Sequence, residues 1–156
     1  MRYFGYGAWG LFLLSLVAMP RGIEAAEPLE PGHGLCRDIA ETVNAVADFT
    51  DTLCLSSRDP EGMSLVLISS QPVFAIEAAK RAWLITSVGT VASVLAESEA
   101  QTHLLILTDV EASREGRLFS IAPPVAQDLS REAREGRLSP KQFYDKIVAA
   151  MRHYPH

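Results

Sequence analysis

Two small groups of hydroxyl and carboxylate side chains follow apolar runs in the sequence, and their types could support chemistry. Ser69 and Ser70 end the run SLVLISS, and Asp109 and Glu111 lie at the end of the run HLLILTDVE. In open α/β sheets, ligands bind at the carboxyl ends of parallel strands, so these four side chains are predicted to share one pocket. A hydroxyl beside two carboxylates suits an activated nucleophile or a bound cation.

The rest of a catalytic motif is not found around this pocket. The nucleophile motif G-x-S-x-G does not occur in the chain, and the sequence places no base beside a serine. His103 begins the second apolar run, so we expect it at the opposite end of its strand from Asp109. The sequence therefore predicts no catalytic residue. A small exported hydrolase or ligand-binding enzyme that uses the pocket near Ser69 and Asp109 is the alternative hypothesis.

Metal, cofactor and nucleic-acid sites are not indicated either. His153 and His156 flank a proline near the C-terminus, and His33 lies in the segment EPLEPGHG, in both cases without a cysteine or acidic cluster at zinc spacing. The net charge is −5, and no basic stripe is present to neutralise phosphate groups. We predict no metal, no cofactor and no nucleic-acid partner.

Cys36 and Cys54 are the only two cysteines in the chain. They are open to three interpretations: a structural disulfide, two unpaired buried thiols, or a reactive thiol near a helix N-terminus. One continuous helix would hold them about 27 Å apart, whereas a disulfide needs Cα atoms within about 7 Å. If the helix ends near Ala47 or Asp48, about six extended residues can return the chain by ~20 Å. A disulfide is predicted, because an even pair in an exported chain is usually structural.

The first 26 residues have the pattern of a secretory signal. Arg2 is followed by an apolar core from Gly7 to Met19 and by small residues before Glu27. The apolar core is about a dozen residues long, below the ~18 to 20 that a membrane-spanning helix needs. We predict that residues 1–26 are a cleaved signal peptide and that the mature protein is periplasmic or secreted, with no stable membrane anchor.

The mature chain is predicted to be one α/β domain over residues 36–154, after an exposed lead-in at residues 27–35 that is rich in proline and glycine. The run SLVLIS is typical of a strand buried on both faces, and HLLILTDV predicts a second buried strand. A long helix over residues 75–98, nearly uncharged from Ala82 to Ala96, joins the two strands as a βαβ unit. The predicted fold is a small mixed sheet of three to four strands with this unit, an N-terminal helix and a C-terminal helical hairpin.

The C-terminal segment REAREGRLSPKQFYDKI, residues 131–147, contains signals for a helix end and a helix start. Gly136 predicts a stop, Ser139 an N-cap, and Pro140 the first helical position. In the order of its glycine, small cap residue and aromatic residue, the segment resembles the helix-glycine-helix element called the short C-terminal domain. That resemblance implies two short helices and no particular activity.

Amphipathic helices supply the candidate partner surfaces. Phe143, Tyr144 and Ile147 are the candidate interface on the last helix, and a sheet edge or the helices at residues 38–48 and 139–153 are the broader options. With no catalytic or cofactor motif, the sequence favours an exported, non-enzymatic domain that acts through protein-protein binding or self-assembly.

Overall fold

The computed structural model describes residues 31–46 and 51–155. The predicted signal peptide at residues 1–26 lies outside the described residues, as do residues 27–30 of the predicted lead-in. Residues 47–50 and the terminal His156 also lie outside them.

The described residues form a mixed α/β fold with five strands and five α-helices. In chain order, the elements are α1 (Pro31–Val46), β1 (Thr52–Asp59), β2 (Gly62–Ser69), a 3-10 turn (Val73–Ala75), α2 (Glu77–Ala96), β3 (Thr102–Asp109), α3 (Val110–Arg114), β4 (Phe119–Ile121), α4 (Pro123–Arg134), α5 (Pro140–Ala150) and β5 (Arg152–His153). The prediction of an α/β fold is confirmed, but the sheet has one strand more than the three to four expected. The extra strand, β5, has two residues, which is too short for an alternating pattern to reveal.

The five strands follow one another across the sheet in the order β1-β2-β3-β4-β5. β2 and β3 are parallel, and α2 lies between them in the chain, whereas the other three pairs are antiparallel. One transverse row of the register runs from Cys54 to Leu67, Leu107 and Phe119. Partners in such a row point to the same side of the sheet.

The side of the sheet that carries this row, here called the inner face, meets the hydrophobic core. Leu65, Leu67, Leu105 and Leu107 are fully buried there. The four long helices contribute the rest of this core, with Ile39 and Val43 from α1, Trp83, Leu84, Val88 and Val91 from α2, Ala126 and Leu129 from α4, and Phe143 and Ile147 from α5. The helices therefore cover the inner face.

α2 is the central helix of that layer. Trp83 is fully buried, and its indole Nε1 donates a hydrogen bond of 3.0 Å to the Thr52 hydroxyl at the start of β1. Such a partner is what a buried tryptophan N–H requires. Helix α2 runs unbroken from Glu77 to Ala96, and a Cβ atom built at Gly89 meets nothing within 4 Å. Gly89 therefore marks neither a break nor a close helix contact.

α1 covers Pro31–Val46, so its first residues belong to the segment predicted as an exposed lead-in. The described helix extends to Val46, next to the end predicted near Ala47 or Asp48. Because the chain then returns along β1, Cys36 and Cys54 come together with a Cα–Cα distance of 5.1 Å and form a disulfide. The predicted bridge is confirmed.

The disulfide closes a loop with a sequence separation of 18 residues. On the chain-entropy model, replacing both Cys36 and Cys54 by serine lowers the free energy of unfolding by about 3 kcal/mol. Urea unfolding of the oxidised protein and of the double-serine variant measures this difference. Equal unfolding midpoints for the two proteins would show that the bridge does not stabilise the fold.

Candidate functional site

The structure brings together two of the four residues predicted to form a strand-end pocket. Ser69 and Asp109 are register partners at the carboxyl ends of β2 and β3. Each is only 1% exposed, so neither offers surface to a substrate. Ser70 and Glu111 are exposed beside them.

Both carboxylate oxygens of Asp109 are used by backbone N–H groups. Oδ1 accepts a hydrogen bond of 2.7 Å from the Ala112 N–H, which makes Asp109 the N-cap of α3. Oδ2 accepts one of 2.8 Å from the Phe74 N–H, in the 3-10 turn that follows β2. The carboxylate therefore ties the loops after the two parallel strands to each other. This role is structural, because each oxygen is engaged by a backbone N–H group and the side chain is buried.

A second polar cluster, which the sequence did not indicate, lies at the opposite end of the sheet. A register shift between Met63 and Ser64 leaves His103 as an extra residue in β3. The His103 Nε2 atom lies 3.3 Å from Asp59, 3.8 Å from Glu61 and 3.5 Å from the Ser64 hydroxyl.

This cluster has the residue types of a serine hydrolase without its arrangement. In a catalytic triad the serine and the carboxylate contact different ring nitrogens of the histidine. Here the Ser64 hydroxyl and the Asp59 carboxylate both approach Nε2 of His103, and Nδ1 is buried without a hydrogen-bond partner. Asp59 Oδ1 also accepts hydrogen bonds from the N–H groups of Glu61 and Gly62. The cluster therefore fixes the β1–β2 turn against β3.

The residues expected to form an interface on the last helix are buried in the described structure. Phe143, Tyr144 and Ile147 are 5%, 4% and 0% exposed, because this face of α5 packs into the core. The Tyr144 hydroxyl donates a hydrogen bond of 2.5 Å to Glu77, whose carboxylate also pairs with Lys80 at 2.8 Å. These three side chains hold α5 to the start of α2.

The same contacts shift the protonation of the three groups. The Lys80 ammonium, and after it the Tyr144 hydroxyl, hold the pKa of the Glu77 carboxyl below its ordinary value. The hydrogen bond to Glu77 raises the pKa of Lys80. Burial, and then the hydrogen bond to Glu77, raises the pKa of Tyr144. Each shift favours the protonation state that exists at neutral pH.

The strongest candidate for a binding site is the side of the sheet opposite the helices, here called the outer face. It is defined by the outward-pointing residues of β1 to β4. The apolar ones are Leu53, Leu55, Val66, Ile68, Leu104 and Ile106, and the polar ones are Ser57, Asp59, Ser64, Thr108 and Ser120. Leu53 and Leu55 are 58% and 55% exposed, and Ile106, although buried, lies outside the core formed with the helices. The outer face therefore has an apolar centre bordered by polar groups.

Both edges of the sheet are partly protected against further strand pairing. The Asn44 side chain, on α1, accepts a hydrogen bond of 2.8 Å from the Thr52 N–H and donates one of 3.3 Å to the Thr52 carbonyl. The disulfide holds the same helix against β1. At the other edge, β5 is only two residues long. Covering helices and short edge strands are two ways in which proteins block further strand pairing.

A groove of about 570 Å³ lies on the helical side, along α2. Its wall includes Val46 from α1, Gly89 and Thr90 from α2, and Arg134 from α4. Arg134 is the only charged side chain among its described lining residues, and most of the lining surface is apolar. Hydroxyl groups of Thr42, Thr86, Thr90, Ser93 and Ser130 also line the groove, but Phe143 is the only predicted site residue in its described wall.

The role of Asp109 can be tested by removing its carboxylate. Asp109→Ala deletes a helix cap and a second charge-assisted hydrogen bond in a buried position, so we expect a loss of about 2 kcal/mol in the free energy of unfolding. Glu111→Ala, an exposed change in the same turn, should alter it by less than about 0.5 kcal/mol. Urea titration measures both variants. If Asp109→Ala is as stable as Glu111→Ala, the capping role is wrong.

The contact of Glu77 with Tyr144 predicts a pH dependence of stability. Because the folded-state pKa of Glu77 is lowered, its contribution is complete above the ordinary value of 4.5 and is lost as the pH falls through the folded value. Tyr144→Phe removes one of the donors, so the variant should be less stable at neutral pH and should lose less stability on acidification. Unfolding at neutral pH and below pH 4.5 tests this, with Tyr154→Phe as the matched control. Parallel stability profiles for the wild type and Tyr144→Phe would contradict it.

Comparisons with known proteins do not assign the chain to a family. No protein-family model, no curated protein and no solved structure matches the chain. Within residues 31–46 and 51–155, no helix is long and apolar enough to cross a membrane, and no three potential metal ligands are grouped to hold an ion.

Proposed function

We propose that the protein is an exported, non-enzymatic domain that acts through protein-protein binding, and that its binding surface is the outer face. The observation that carries this proposal is that the two central strands are apolar on both sides, although helices cover only one side. β2 and β3 are apolar on both sides, as strands buried on two faces are. In the described structure the long helices cover only the inner face.

A sheet that meets water on one side normally presents alternating polar residues there. The outward positions of the two central strands are instead Val66 and Ile68 in β2, and Leu104 and Ile106 in β3. Leu53 and Leu55 extend the same surface onto β1, and each keeps more than half of its surface exposed. Contiguous apolar surface of this kind marks interaction sites in soluble proteins. Covering the exposed part of each leucine would gain about 1 kcal/mol.

Export is supported by two independent features of the chain. Residues 1–26 have the composition of a secretory signal peptide. The disulfide between Cys36 and Cys54 is of a kind that persists in the periplasm or outside the cell and is rare in the cytosol. We therefore place the mature protein in the periplasm or in the secreted fraction.

The enzyme hypothesis has less support. It depended on a pocket near Ser69 and Asp109, where the carboxylate oxygens accept backbone hydrogen bonds and both side chains are buried. Asp109 therefore has the role of a structural acid, and binding through the outer face remains the better-supported function.

Site-specific photocrosslinking in the producing cells tests the proposal. A benzoylphenylalanine at Leu53 should give one defined protein adduct in the exported fraction. The same group at Ile76, which is equally exposed at 60% but precedes α2, should not give this adduct. Adding Leu55→Glu to the Leu53 probe should abolish the adduct, because it places a charge in the apolar centre of the surface.

Two results would overturn the proposal. One is an adduct that forms equally well from positions 53 and 76, or that persists with Leu55→Glu. The other is recovery of the protein only from the cytosol, with residues 1–26 still attached according to its intact mass.

A further inference from the structure

We infer that the partner of the outer face is a second copy of this chain, stacked face to face to form a two-layer sandwich. This inference rests on the proposed function and names its partner. Three features of the molecule favour a second copy over other occupants of the surface: the length of chain available to cover it, its charge, and its edges.

The mature chain is too short at its N-terminus to cover its own outer face. After removal of residues 1–26, only residues 27–30 precede α1. Four residues span at most about 13 Å when fully extended. The outer face is about 19 Å wide across four strands, and α1 is itself fixed to β1 by the disulfide. With residues 1–26 removed as proposed, the N-terminal residues of the mature chain therefore cannot cover this surface.

The distribution of charge suits a partner with the same surface. Asp59, at the end of β1, is the only charged residue among the outward positions of β1 to β4, whereas the chain as a whole carries a net charge of −5. Because Asp59 lies at the β1–β2 turn and not among the apolar residues, two copies can bring their apolar centres together without placing like charges between them.

The protected edges make this assembly a closed dimer. Asn44 occupies the exposed backbone groups of Thr52, and β5 is too short to recruit a strand. When two copies associate through the same face about a twofold axis, the assembly is complete at two copies. Pairing through strand edges would instead allow further copies to be added.

The area of the face sets the expected strength of the dimer. Four strands by about six residues give roughly 400 Å² of sheet per copy, so with side-chain relief the two copies bury on the order of 1,000 Å². This lies at the lower limit for a specific interface. The dimer should therefore be reversible and should dissociate on dilution.

Sedimentation of the exported protein, purified with its disulfide intact, tests the inference. We expect a monomer-dimer equilibrium at concentrations of about 1 to 100 µM. Leu55→Glu should weaken the dimer at least tenfold, and Ile76→Glu, its control of equal exposure, should not. Circular dichroism and urea unfolding establish that both variants fold. Because the contact is apolar, raising the salt concentration from about 0.05 to 0.5 M should not dissociate the dimer.

The outcomes separate this inference from the proposed function. A monomer at every concentration, with a cellular photocrosslink from Leu53 to a different protein, would overturn self-association and leave the binding function intact. A dimer that Leu55→Glu and Ile76→Glu weaken equally would assign association to another surface. A monomer with no photocrosslink would overturn both proposals.

Discussion

The parallel pairing of β2 with β3 is the constraint on which the rest of the structure depends. Parallel neighbours cannot be joined by a tight turn, so the chain must cross over one face of the sheet, and here it does so through α2. Trp83 and the other buried side chains of α2 complete the core on that face, and α1, α4 and α5 pack around them. Every long helix in the described chain is therefore on one side. Within the described residues, the absence of long helices from the outer face is a consequence of this topology and not of a polar sequence on that side.

The elements that could be predicted from the sequence are those governed by local geometry. The rise of a helix made one continuous helix incompatible with a disulfide, and α1 indeed ends at Val46 so that Cys54 can return to Cys36. The end signal at Gly136 and the cap at Ser139 are also confirmed, since Gly136 has φ +73° and the Ser139 hydroxyl accepts a hydrogen bond from the Gln142 N–H. Short elements such as α3 and β5 form only because tertiary neighbours hold them, so no periodicity reveals them.

The candidate site was harder to predict, because the sequence pattern of a group of residues does not show which other residues pack against them. Phe143 and Ile147 form an apolar stripe that suits a core as well as an interface, and the structure shows that they belong to the core. The position of Asp109 suits a ligand, but it suits the N–H groups of two turns equally well. His103 reaches Asp59 only through an irregularity in the register of β3, which has no signature in the sequence.

The disulfide connects the stability of the fold to the way in which the sheet can associate. A bridge between Cys36 and Cys54 restricts the unfolded chain, but it also fixes α1 beside the edge strand, where Asn44 occupies the free backbone groups of Thr52. An edge strand with apolar, half-exposed side chains such as Leu55 is otherwise a template for open-ended pairing. By limiting pairing at that edge, the bridge would favour association of the proposed exported protein through the outer face, which ends at a defined complex, over open-ended aggregation.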